Sequence, residues 1–126
     1  MTHWERALES SRTAHAVFAL GDMNGAVNRA YYAMFEVAWE AVSTVDPSFL
    51  DIKSHAELVR QFSKVFVLSG AVSPELGRAF SNARGARWAA DYSGEATGKD
   101  EATEMLQVMD KLLSEIERVV LGVKSP

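Results

Sequence analysis

The stretch from Ala26 to Val42, AVNRAYYAMFEVAWEAV, is apolar on nearly every side of a helix drawn through it. Such a helix needs neighbours all round, so it belongs in the middle of a bundle. Gly21 stops the segment before it, Asp22 or Asn24 can cap its start, and Asp46-Pro47 marks the turn after its end near Thr44. Its few polar side chains gather on one side. At about 100° per residue, Arg29, Glu36 and Glu40 fall within about 40° of one another and form a single stripe.

The remaining helices supply the neighbours. A first helix spans about Thr2 to Leu20, with Trp4, Ala7, Leu8, Ser11, Ala14, His15 and Phe18 on one face. This face makes His15 a core or interface histidine. A third, shorter helix covers Ser54 to Phe66. VFVLSGAV has strand propensity, but a lone strand has no partner, so it reads as a frayed helix end plus loop. Ser73-Pro74-Glu75 starts a fourth helix with a cap, a first-turn proline and an acid at the positive dipole end. That helix runs to about Tyr92. After the SGEATG loop, Thr97 and Asp100 form a capping box. The last helix repeats Ala102, Met105, Leu106, Met109, Leu112, Leu113, Ile116, Val119 and Val120, with Gly122 as its stop. The expectation is an all-α fold, an antiparallel four- to five-helix up-and-down bundle, formed by residues 1–126 as one domain.

Composition narrows the function. The 126 residues contain no cysteine, which excludes disulfides, thiolate metal sites and a Cys nucleophile. Lys and Arg number 13 against 17 Asp and Glu, a formal charge of −4, so any anion site must be local. No apolar run approaches the roughly 18 residues of a spanning helix, and the charged start MTHWERALES does not read as a leader. A cytoplasmic protein without membrane contact is expected. Phosphate-binding Gly-rich loops, GxSxG and HExxH are absent, and no Glu is followed three residues later by His. Neither metal nor cofactor is expected.

One charge sits where an apolar side chain belongs. Leu76, Phe80, Ala83, Ala86 and Ala90 define the inner face of the fourth helix, and Arg87 lies about 20° from Leu76 within it. Asp91 follows one turn later. A guanidinium facing a core must be paired or must border a cleft. Two uses are open. One is a structural network in which Arg87 pairs with Asp91 or reaches Glu36, leaving the chain a helical interaction module. The other is an anion site on a rigid helix. Tyr31 and Tyr32 read as core aromatics whose hydroxyls reach an edge.

GDMNGAVNRAYYAMFEVAWEAV, SHAELVRQF and SPELGRAFSNARGARWAADY, at this spacing, resemble the small stand-alone prokaryotic branch of the HEPN family over roughly residues 5 to 120. The resemblance implies a helical bundle, a homodimer, and the toxin-like partner of a minimal nucleotidyltransferase. Many such proteins are metal-independent ribonucleases in which a His follows an Arg by four to six residues. Here Arg87 is followed by Asp91 at +4 and Tyr92 at +5, with no His, and Glu36 stands where the branch often has His. His55 matches the His of the branch's "HSG" segment. The resemblance therefore implies Arg87 as phosphate-charge stabiliser, with Asp91, Tyr92 or His55 moving protons. Arg29, Tyr32, Glu36 and Arg87 are the candidate RNA or nucleotide contacts. Arg29, Glu36, His55, Arg87, Asp91 and Tyr92 are expected in one cleft. A dimer is also expected because the second helix looks too apolar for a small bundle to cover.

Overall fold

The computed structural model describes residues 1–48 and 54–124, the last four as backbone. It contains α1 (His3–Ala19), α2 (Met23–Val45), α3 (His55–Phe62), a π-helical turn (Ser63–Val67), α4 (Pro74–Tyr92) and α5 (Lys99–Lys124), with no strand among the described residues. The fold is an all-α bundle, as the periodicities predict.

Local chemistry sets the helix starts. Thr2, Asp22, Ser54 and Ser73 each accept a backbone N–H of the first turn. Gly21 takes φ +91° at the α1–α2 turn, a conformation other residues avoid. Asn24 does not cap α2. Its Oδ1 accepts the Thr97 N–H at 2.9 Å, tying the start of α2 to the loop before α5. Helix α5 begins at Lys99 with Gly98 at the cap position, one residue beyond the expected Thr97 box. It also runs through Gly122 to Lys124, because one glycine costs a helix only about 1 kcal/mol.

Helix α2 is the centre. Eleven of its residues are buried, among them Tyr31, Met34, Val37 and Val42, and α1, α3, α4 and α5 all pack on it. The bundle therefore covers the apolar helix within one chain, and that helix supplies no ground for a dimer. The buried row on α5 follows the predicted repeat, with Val119 partly buried. His15 departs from its expected place. Its side chain is 51% exposed, and it pairs with Asp110 of α5 at 3.1 Å on the surface.

The end of α3 is also better ordered than a frayed terminus. The wider π turn keeps Phe66 stacked on Phe62, centroids 5.3 Å apart, with both rings buried. The Val72 N–H then donates to Phe66 O, closing the loop. Helix α4 lies directly against this turn at Gly77, where a Cβ would come within 2.7 Å of Val67 Cγ2.

Candidate phosphate-binding cleft

Three contacts set the register of α2 against the α4–α5 region. Asn24 meets Thr97, Asn28 Nδ2 donates to Asp91 Oδ2 at 3.0 Å, and Tyr32 meets Arg87. Each turn forward on α2 matches a step back along the partner, so the two helices run antiparallel. The spacing of four residues puts Asn24, Asn28 and Tyr32 on one face of α2.

Arg87 is at the middle of this seam. Its Nη2 donates to the Tyr32 hydroxyl at 3.0 Å, and its Nε lies 3.0 Å from Asp91 Oδ2. The Nε–H is not aligned on that oxygen, so the contact is an ion pair and not a hydrogen bond, and Nε has no acceptor among the described residues. The guanidinium carbon sits 5.3 Å from the Tyr32 ring centre and 5.8 Å from that of Tyr92. Two aromatic faces and one carboxylate thus hold a cation whose side chain is only 20% exposed. Asp91 is shared between Arg87 and Asn28, so it is a committed counter-ion and no free base.

His55, the first residue of α3, completes the neighbourhood. Its ring stacks on Phe35 at 4.1 Å, and Nδ1 lies 2.7 Å from the hydroxyl of buried Tyr31. Burial pushes that hydroxyl up to about 12, so it stays protonated. Among the described residues Nδ1 is its only partner, so Tyr31 O–H donates to Nδ1. A neutral ring then carries its own proton on Nε2. Burial first, then the guanidiniums of Arg84 and Arg87, hold the imidazole below its ordinary 6.5.

His55, Ser81, Arg84, Gly85, Arg87 and Trp88 line one open cleft of about 580 Å³. Two other grooves, of about 550 and 430 Å³, lie between α4 and α5. Glu75, Glu101, Glu104, Asp110 and Glu115 line them against Arg78 and Lys111, so they repel anions. The α3–α4 cleft is the one whose charge suits a phosphate.

Of the sequence candidates, His55 and Arg87 share this cleft, with Tyr32, Asp91 and Tyr92 directly around Arg87. Arg29 and Glu36 do not join them. Arg29 is exposed on α2 and takes part in none of these bonds. Glu36 turns to the other side, where His3 Nδ1 meets its Oε2 at 2.5 Å and the His3 ring stacks on Trp39 at 4.2 Å. The Arg87 network therefore uses Asp91, Tyr32 and Asn28, and Glu36 belongs to the α1–α2 contact. Sequence reasoning passed over Arg84, Trp88 and Asn28. Arg84 lies three residues before Arg87 and Trp88 four after Arg84, a spacing that was available as a signal.

The model of the HEPN domain matches residues 1–119. The chain belongs to the HEPN family. Among its relatives is a Methanocaldococcus jannaschii protein named "Putative toxin MJ0605". It is 28% identical over 116 residues, covering 92% of this chain and 84% of the relative. A "UPF0332 protein" of Thermotoga maritima is 27% identical over 125 residues, covering 92% of each chain. No helix among the described residues of this HEPN chain is long and apolar enough to cross a membrane.

The depressed His55 gives a pH signature. Well above 6.5 the ring is neutral both folded and unfolded. As pH falls below that value, the unfolded chain takes up a proton that the folded chain refuses until its lower pKa is reached. Stability is therefore expected to fall on acidification through this window. His55→Gln should flatten that part of the profile, read as the urea midpoint at several pH values. Parallel profiles for the two proteins would contradict the half-buried, cation-flanked ring.

Proposed function

We propose that this HEPN protein is a toxin-like member of the family that binds RNA through its phosphates at the α3–α4 cleft. One observation carries the reading: two guanidiniums and a neutral imidazole share one cleft on a chain of net charge −4. Arg84 makes no ion pair among the described residues and can turn to an anion. Arg87 is held rigid, yet its Nη1 makes no bond among the described residues. The Tyr32 hydroxyl accepts from Arg87, which leaves its own proton for a phosphate oxygen.

The same geometry favours binding over rapid turnover. Metal-independent cleavage needs a base for the 2′-hydroxyl and an acid for the leaving oxygen. Asp91 is engaged by Arg87 and Asn28, and His55 presents an N–H instead of a lone pair. The family and the name of the Methanocaldococcus jannaschii relative support a toxin-like role. In this reading the protein acts in the cytoplasm beside a minimal nucleotidyltransferase, with a second copy of the chain as the other protein partner.

The deciding experiment titrates a short single-stranded RNA into the protein at low salt in EDTA, followed by anisotropy. Binding should weaken with salt, and Arg84→Gln should lower the log–log salt slope by about one. The RNA should stay intact. A wild-type protein that binds no RNA at low salt sinks the proposal. Fast cleavage in EDTA that Arg87→Ala abolishes would replace the binding role with a catalytic one.

A further inference from the structure

Helices α4 and α5 leave an open trough along their length. The two grooves between them share Glu75, Ala79 and Val108 and so are continuous. On the α5 side the trough reaches from Glu101 to Glu115, about 21 Å at the helical rise per residue. Its floor is apolar: Leu76, Ala79, Ala83 and Ala86 of α4 face Met105 and Val108 of α5. Alanine methyls fill little of the space. Leu76, Ala79 and Val108 are therefore only half-buried, and Ala86 is exposed. The trough lies across α4 from the arginine cleft. At about 100° per residue, Ala79 and Ala86 stand about 140–160° from Arg84, so one helix carries two separate surfaces.

The rim charge says what can fill this space. Glu75, Glu101 and Glu104 make no ion pair among the described residues. Glu101 suits the positive end of the α5 dipole, but Glu104 lies a turn beyond it. Glu104 also stands four residues from Asp100 and three from Glu101, spacings at which like charges repel. No lysine or arginine lies three or four residues from it on either side. The acids facing the trough therefore lack a counter-charge that their own helix could have supplied. Residues 49–53 and 125–126 are too few to fill it, since five helical residues span only about 7.5 Å. A second copy seated trough to trough would oppose an equally acidic surface, and a nucleic acid is repelled.

We infer that the α4–α5 trough is a docking groove for a cationic amphipathic helix of a partner protein. The trough takes about four helical turns. Apolar side chains repeating every three or four residues enter the space over Ala79, Ala83 and Ala86, and lysines or arginines meet Glu101 and Glu104. Burial of the apolar stripe supplies affinity. The charges set which partner binds and in which direction, and their arrival relieves the repulsion around Glu104. This surface is independent of the RNA-binding reading, because neither Arg84 nor Arg87 lines it.

The test uses labelled helical peptides of about 15 residues, enough to span the trough. One carries a leucine stripe flanked by lysines. A second replaces the lysines by glutamates, and a third scrambles the lysine peptide so that the stripe is lost. Anisotropy should show the striped lysine peptide binding wild type about tenfold or more tightly than the scrambled one. The double variant Glu101→Gln/Glu104→Lys should weaken the lysine peptide about tenfold and improve binding of the glutamate peptide. Ala86→Gln leaves the charges alone but puts a polar stem into the open space, and it should weaken the lysine peptide too. Glu101, Glu104 and Ala86 are exposed, so the variants should melt close to wild type, which circular dichroism checks. Arg84→Gln should leave peptide binding unchanged. The inference is overturned if wild type does not bind the striped lysine peptide, or binds the scrambled one equally well. It also falls if either trough variant binds the lysine peptide like wild type. If light scattering shows instead that Ala86→Gln breaks a dimer while peptide affinity holds, the trough is a contact between copies. None of these results bears on RNA binding at Arg84 and Arg87, which the RNA titration tests separately.

Discussion

Arg87→Ala is expected to cut RNA affinity about tenfold to a hundredfold and to lower stability by about 1–3 kcal/mol. The binding loss follows from removing a charge-assisted phosphate contact, worth about 1.5–3 kcal/mol. The stability loss follows from the side chain's three partners: the Tyr32 hydroxyl, the Asp91 carboxylate and the flanking rings. It stays below the cost of breaking a fully buried pair. Asp91 keeps Asn28 and is 22% exposed, so water can reach the stranded charge. Arg87→Lys should retain part of the affinity but not the two-sided stacking, which suits a planar cation. Urea melts and RNA titrations of both variants separate the effects. Wild-type stability together with wild-type binding for Arg87→Ala would refute the structural and the functional assignment at once.

Phe80→Ala is expected to be the most damaging truncation near the cleft. Phe80 is fully buried and meets Phe62 edge-on at 5.4 Å, so this pair ties α4 to the end of α3. Deleting the ring costs about 3–5 kcal/mol. A small domain holds about 5–15 kcal/mol in all. The Tm should drop by about 10–20 °C. Binding should suffer as well, even at temperatures where the variant is folded. His55 stands at one end of α3 and Phe62 at the other, so loosening this junction lets His55 drift from Arg84 and Arg87. Phe80→Leu retains most of the apolar contact and should cost less than about 1.5 kcal/mol. A Phe80→Ala protein that melts with wild type would show that the α3–α4 junction is not where the core is anchored.

The helices were legible because their signals are local. The apolar girth of α2 marks it as the central element, and the caps at Asp22, one of two candidates, and Ser73 fall where the sequence puts them. Arg87 stood out as a charge on an inner face, and Asp91 was reachable at one helical turn. The errors were also local in origin. Gly122 reads as a stop, but a single glycine is a small penalty and α5 continues through it. His15 shares a face with Ala7 and Ala14 and so reads as a core or interface histidine, yet it lies at the edge of that face, where Asp110 meets it in solvent.

Helical period, capping and the anomaly at Arg87 were thus determined by the sequence alone, since each depends on residues within a turn or two of one another. Which faces meet was decided by the tertiary structure. The pairing of Tyr32 and Asn28 with the Arg87–Asp91 seam depends on the antiparallel register of α2 and α4. The diversion of Glu36 to His3 depends on α1 folding back along α2. The cleft itself exists because the π turn, Gly77 and the Phe62–Phe80 contact set α3 against α4. Those contacts join residues far apart in the chain, and their geometry follows from close packing of whole side chains, which no periodicity within a single helix encodes.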